Sequence, residues 1–329
     1  MKISDQQMTL PLDFGEVVET KMQPSRPEGI SDITWSYSRR DTLEQCPLRY
    51  YFLYFGANKR AAKGEPLKEQ LTTLKATENR YLRTGGILHL AISRYLRSVQ
   101  RDTPLPLSDL INWSRRKFQA DVAYSRDYPN LREVNGKYPP VLLREYIYQD
   151  FDASQLCFEA EERMLAAINA FYTEDDFEDF RTKGGHKHSI IERIAHLRGL
   201  PCRATGKIDL AYRDGDDVVV IDWKLGVGDG YGEDSLQLAA YGLWAMDHFK
   251  CRSTQLKVCK VHLTSREIHT FTINDEVLAA ARIRIIQDAE RMAALERYGQ
   301  AGTANAFTPR LVRNICKTCT FEGVCYDRN

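Results

Sequence analysis

Two short apolar segments joined by a tight turn set the strongest limit on how this chain can fold. Ala204–Tyr212 and Val218–Trp223 are rich in β-branched and aromatic residues, and Arg213-Asp214-Gly215-Asp216 between them is a hairpin turn signal. The second segment opens with four consecutive apolar residues, Val218 to Ile221, the pattern of a strand buried on both faces. Asp222 follows at once, and Asp209 lies in the first segment. A carboxylate at the end of a buried strand is costly unless it meets a partner or a metal. Hairpin pairing can bring Asp209 and Asp222 side by side, and Lys224, two residues past Asp222, projects from the same face. Two converging carboxylates suit a hard divalent cation such as Mg²⁺ or Mn²⁺, and an adjacent lysine can offset charge developing on a phosphate.

The flanking sequence places this hairpin in a mixed α/β chain. Ile190–Leu197 reads as a strand before it, and Glu192 near its start is a further acidic candidate. Ser235–Phe249 reads as a helix after it, and Leu256–Leu263 with Glu267–Ile273 as a second hairpin. Asn274 is a cap for a final helix reaching about Tyr298. Upstream, Ser38–Phe55 reads as one aromatic-rich helix capped by Ser36 or Ser38. Gly85–Gly86 introduces an apolar helix, Ile87–Val99. Residues 103–187 read as mostly helical, with a break at Tyr138-Pro139-Pro140 and a long periodic stretch, Val141–Tyr172. The division expected is an arm at 1–30, an N-terminal helical part at 31–102, a helical insertion at 103–187, a core at 188–300 and an irregular tail at 301–329.

Lys plus Arg is 46 and Asp plus Glu is 45, a net charge of +1, which excludes a globally basic nucleic-acid coat protein but leaves room for a local basic track. No apolar run approaches the ~20 residues that span a bilayer. The first thirty residues lack an apolar signal-peptide core, so the cytoplasm is the expected compartment and no membrane partner is expected.

Taken in order, Gly206-x-x-Asp209, Asp222-x-Lys224 and Gln237-x-x-x-Tyr241 resemble the RecB-type nuclease domain of the PD-(D/E)XK superfamily. Gly85-Gly86-Ile87-Leu88-His89 resembles that family's upstream helix. The resemblance covers about residues 31–60, 80–100 and 188–329. It implies a restriction-endonuclease-like core with a mixed central sheet, and hydrolysis of DNA phosphodiesters. Carried over residue by residue, it assigns metal binding to His89, Asp209, Asp222 and the carbonyl of Trp223. It makes Lys224 the catalytic lysine and puts Gln237 and Tyr241, on one helical face, beside the site. An intact Asp209, Asp222 and Lys224 argues against the alternative, a non-catalytic DNA-binding subunit.

Of eight cysteines, three lie in the tail as Cys316-x2-Cys319-x5-Cys325. Thiolates so spaced select zinc or an iron–sulfur cluster. A fourth ligand is needed, and Cys46 in Cys46-Pro47-Leu48-Arg49-Tyr50 is the candidate. The pattern is similar to AddB-like and CRISPR-associated Cas iron–sulfur nucleases of the same superfamily. That resemblance implies a [4Fe–4S] cluster on Cys46, Cys316, Cys319 and Cys325, clasping the two ends of the chain. The tail has little apolar content, so the clasp is expected to hold it. Cys157, Cys202, Cys251 and Cys259 have no matching spacing and read as small core residues.

Arg39, Arg40, Arg49, Lys59, Arg60 and Lys63 surround the aromatic run Tyr50–Phe55. Interleaved cations and aromatics suit single-stranded DNA, and an ordinary aromatic core with a solvated basic face is the alternative. The insertion carries Glu174-Asp175-Asp176 and Glu178-Asp179, which repel DNA and suit solvent or a protein partner such as a helicase or defence complex. Repair, recombination and phage or CRISPR-type defence are the pathways in which such an exonuclease would act.

Overall fold

A computed structural model describes residues 8–9, 30–57, 65–131, 134, 136, 138–226 and 235–326. The expected arm at 1–30 lies almost wholly outside these residues, as do Lys59, Arg60 and Lys63. The chain forms two compact units, each gathered from separated stretches. One comprises Met1–Tyr37, Leu88–Ile111 and Ala166–Ala293, and the other Ser38–Ile87, Asn112–Leu165 and Ala294–Asn329. Among the described residues, no helix is long and apolar enough to cross a membrane.

The first unit is built on a seven-stranded mixed sheet. Its strands are β1 (Met8–Thr9), β2 (Thr34–Trp35), β3 (Ile190–Leu197), β4 (Arg203–Asp214), β5 (Asp217–Lys224), β6 (Leu256–His262) and β7 (Glu267–Thr272). The order is β1-β7-β6-β5-β4-β2, with β3 paired antiparallel to β4. β4 and β5 form the expected hairpin, registered through Leu210↔Ile221 to Asp214↔Asp217, and Gly215 makes the turn with φ at 63°. β5 runs parallel to β6, and β6 antiparallel to β7. Val218–Ile221 is buried throughout, because β5 is central and helix Ser235–Phe249 packs on β3, β4, β5 and β6. Asn274 caps helix Asp275–Gln300 by accepting the Val277 N–H at 2.8 Å. Trp223 is wedged between Phe171 and Phe180, each edge-on with centroids 5.6 Å away.

Three helical expectations need correction. Ser38–Phe55 is not one helix: Tyr37–Gln45 ends at Cys46, whose backbone is extended (φ −163°, ψ 110°), and Pro47–Tyr51 restarts before a π-helical turn, Phe52–Gly56. Pro47 explains both halves, since proline drives its predecessor out of the helical region and favours a first helical position. The glycine pair does not open the next helix. Arg80–Val99 is continuous, and Asn79 accepts the Leu82 N–H at 2.9 Å at its start, so Gly85–Gly86 lies inside it. Val141–Tyr172 holds one short turn, Arg144–Ile147, and a helix only from Ala153 to Thr173. Gln149 and Asp152 between them both take left-handed backbone (φ 49° and 58°), which interrupts the helix.

Candidate active site and cysteine pocket

The sheet register sets charged residues of three strands level with one another. Glu192 on β3 and Asp209 on β4 are bracketed by the pairs Ile191↔Leu210 and Arg193↔Ile208. Asp222 follows the pair Leu210↔Ile221 by one residue and is itself level with Lys260 on β6. His89, from helix Arg80–Val99, meets this row with Nδ1 3.1 Å from Asp209 and 3.4 Å from Glu192. His89, Glu192 and Asp209 each offer one ligand atom, all within 4.8 Å of one another. One imidazole and two carboxylates form a donor set that fits Mg²⁺ or Mn²⁺.

The electrostatics follow from this packing. Burial alone would lower the His89 pKa, but Asp209 and Glu192 outweigh it and push the group up to about 10. Burial raises the Glu192 carboxyl, while His89 and Lys207 together bring it below its ordinary value. Glu192 also has a left-handed backbone, φ 47°, which costs of order 1–3 kcal/mol in a side-chain-bearing residue. Asp209 is fixed by its own hairpin: its Oδ2 accepts the Trp223 N–H at 3.0 Å. Asp222 is buried, and its Oδ2 lies 2.9 Å from Lys224 Nζ.

From Lys224 a polar chain continues into the next helix. Lys224 Nζ donates to Gln237 Oε1 at 3.4 Å, and Gln237 Nε2 donates to the Tyr241 hydroxyl at 2.7 Å. Tyr241 is buried with its ring over Gly206, where an added Cβ would come within 3.4 Å. The residues singled out from spacing therefore meet on one face of one unit. The convergent set itself is His89, Glu192 and Asp209, with Asp222 held toward Lys224. Sequence alone gives Glu192 little weight, because a charged residue at a strand end is commonplace. Its signal was available in the antiparallel register, which puts it opposite Asp209.

The second unit holds the other cluster. Cys46, Cys316, Cys319 and Cys325 all line one partly open pocket, together with Arg49, Arg310 and the apolar Leu48, Phe52, Ile315 and Phe321. The Arg310 N–H points at Cys46 Sγ (3.5 Å) and the Phe321 N–H at Cys319 Sγ (3.4 Å). Burial raises the Cys319 thiol pKa, and nearby Cys46 and Cys316 add to the rise. Cys157, Cys202, Cys251 and Cys259 are buried elsewhere.

The tail is held by more than its cysteines, contrary to expectation. Phe307 packs on Tyr51 (5.1 Å between centroids) and Phe321 on Phe52 (5.4 Å). Buried Arg144 donates to the Cys319 carbonyl at 3.1 Å and pairs with Asp150 and Glu322. The Tyr148 hydroxyl donates to the Thr320 carbonyl at 2.8 Å and accepts the Gly323 N–H at 3.2 Å. Asn79 donates to the Thr318 carbonyl at 3.3 Å. Few apolar residues suffice because Phe307 and Phe321 are large buried rings and the backbone from Thr318 to Gly323 is hydrogen-bonded.

The aromatic run is core. Tyr50, Tyr51 and Phe52 are buried, while the Arg39 guanidinium lies 4.5 Å from the partly exposed Tyr54 ring. This run cannot offer a row of faces to stack bases.

The profile of the PD-(D/E)XK nuclease superfamily matches residues 34–326. The chain belongs to that superfamily. Members are typically phosphodiester-cleaving nucleases that use divalent metals, and both the mixed sheet and the acidic face suit that chemistry. No curated protein matches the chain.

Proposed function

We propose that this chain is a metal-dependent deoxyribonuclease of the RecB type, acting as an exonuclease on single-stranded DNA or single-stranded ends. The observation that carries the reading is the convergence of His89, Glu192 and Asp209 beside the chain Asp222–Lys224–Gln237–Tyr241. His89, Glu192 and Asp209 would hold the cation, with Asp222 and the Trp223 carbonyl as further donors. A bound divalent cation supplies Lewis-acid activation of water and of the scissile phosphate. Lys224 offsets charge on the phosphate through Nζ, and Gln237, braced by Tyr241, aims that ammonium group. Asp209 keeps its orientation through the Trp223 N–H.

The test is cleavage of end-labelled linear and circular single strands with Mg²⁺ or Mn²⁺. Degradation confined to the linear strand is expected, and Asp222→Asn should abolish it while leaving DNA affinity nearly unchanged. Wild-type rates in Asp222→Asn would overturn the assignment. No cleavage of any strand by the wild type, with DNA still bound, would favour a non-catalytic DNA-binding subunit.

We also infer that Cys46, Cys316, Cys319 and Cys325 hold a [4Fe–4S] cluster with a structural role, as in the AddB-like and Cas-type subgroup. Four thiols on one cavity support this, and so do Arg49 and Arg310, whose charge would offset that of a thiolate-ligated cluster. Iron and sulfide analysis of anaerobically purified protein checks it: Cys46→Ser should lose both and Cys157→Ser neither. Zinc in place of iron, or full iron in Cys46→Ser, would refute it. The reading places the protein in the cytoplasm, in repair, recombination or phage or CRISPR-type defence. It takes 188–300 as catalytic core, 301–329 as cluster segment and 103–187 as an insertion that can meet a helicase or defence partner.

A further inference from the structure

The catalytic hairpin is nearly palindromic in charge. β5 carries Asp222-x-Lys224, and antiparallel β4 carries Lys207-x-Asp209. Counting on from Leu210↔Ile221, Lys207 comes level with Lys224, and the period of two puts it on the same face as Asp209. Each lysine neutralises one carboxylate: Lys224 pairs with Asp222, and Lys207 with Glu192. They differ in exposure. The Lys224 side chain is 28% exposed and braced by Gln237, whereas Lys207 is 57% exposed and, among the described residues, tied to the carboxylate that belongs to the convergent set.

We propose that Lys207 is a second phosphate-binding residue of the active site, held by Glu192 until a divalent cation claims that carboxylate and then free to contact the DNA backbone. This rests on the nuclease reading above. Without a cation, Lys207 is engaged by Glu192, Lys224 by Asp222, and His89 by Asp209 and Glu192, so the cationic groups of this face are already taken by carboxylates when a phosphate approaches. A divalent cation makes the site more positive and competes with Lys207 for Glu192. The same event makes the face attractive to phosphate and releases its most exposed lysine. DNA affinity at this site is thereby coupled to metal occupancy through one side chain.

The experiment compares wild type, Lys207→Gln and Lys207→Arg for binding of a labelled single-stranded oligonucleotide across a salt series, in Ca²⁺ and in EDTA. In Ca²⁺, Lys207→Gln should bind about tenfold more weakly and flatten the log K against log salt slope by ~0.7, the share of one phosphate contact on a single strand. Lys207→Arg should restore most of both. In EDTA, wild type and Lys207→Gln should bind alike. Mn²⁺ affinity by calorimetry should be equal or tighter in Lys207→Gln, since the competing ammonium is gone. An unchanged affinity and slope in Ca²⁺ would overturn the proposal. So would an equal loss in both conditions, which marks an ordinary surface lysine, or a loss of Mn²⁺ binding, which makes Lys207 only a support for Glu192. A wild type that binds no DNA in Ca²⁺ would instead overturn the nuclease reading itself.

Discussion

The acidic face of the sheet and the cysteine pocket gather side chains in opposite ways. On the sheet, carboxylates are gathered around opposite charge: Glu192 and Asp209 flank His89, Asp222 follows the Leu210↔Ile221 pair on β5, and Glu192 has a strained backbone. The Glu192 backbone costs local stability there, while His89, Lys207 and Lys224 offset the gathered carboxylates. Around the cysteines the arrangement is already satisfied. Carbonyls of Thr318, Cys319 and Thr320 and the N–H of Gly323 all have side-chain partners, and aromatic rings fill the gaps. On the reading proposed above, one region is organised to react and the other to stay in place. Changes in the first should therefore cost activity with little stability, and changes in the second the reverse.

Asp209→Asn is the sharpest test. It keeps an oxygen for the Trp223 N–H but removes a charge from the donor set, so the cleavage rate should fall by roughly 10³-fold, about 4 kcal/mol of transition-state stabilisation. The melting temperature of the metal-free protein should fall only by the lost His89–Asp209 attraction, since Glu192 still pairs with His89. A large drop in melting temperature would break the contrast. Arg144→Met should do the opposite. Removing a buried guanidinium strands Asp150, Glu322 and the Cys319 carbonyl, which should cost about 3 kcal/mol in denaturant unfolding and expose residues 317–323 to protease. Unchanged unfolding would show that the aromatic contacts alone hold the tail. Tyr148→Phe removes one donor and one acceptor, at a cost of about 1–2 kcal/mol by the same measurement.

A further test lies in the pH dependence of the metal-free protein. His89 has a pKa of about 10 against an ordinary 6.5, so its favourable interaction with Asp209 and Glu192 is fully present below 6.5 and is lost as pH rises through about 10. The melting temperature in EDTA should therefore decline across that interval in the wild type, and the His89-linked part of the decline should vanish in His89→Gln. Mn²⁺ affinity should rise over the same interval, because the cation must displace that proton. A flat Mn²⁺ titration across it would show that His89 is not a ligand.

The strand half of the fold was legible because short-range signals agreed. Alternation, the Asp214-Gly215 turn and the apolar run of β5 all point to one hairpin, and Asp222-x-Lys224 then follows from the period of two. The helical half misled where one residue outranked the pattern: Pro47 split an apparently continuous helix, and Asn79 began one before the glycine pair. Arg144 and Tyr148 left no signal at all. Besides the Asp150 and Glu322 carboxylates that pair with Arg144, their partners are tail backbone groups more than 170 residues away, and a bond to a carbonyl leaves no mark on the partner's side chain.

Gly85 and Gly86, set inside a continuous helix, have a consequence for engineering. A methyl group at either position would meet nothing within 4 Å. Each glycine in a helix interior forfeits about 0.5–1 kcal/mol relative to alanine, so the helix that delivers His89 is built below its attainable rigidity. Gly85→Ala with Gly86→Ala should give a hardier background in which costly variants such as Arg144→Met still fold well enough to be measured. If that background melts no higher than the wild type, the slack in this helix is already taken up by its neighbours.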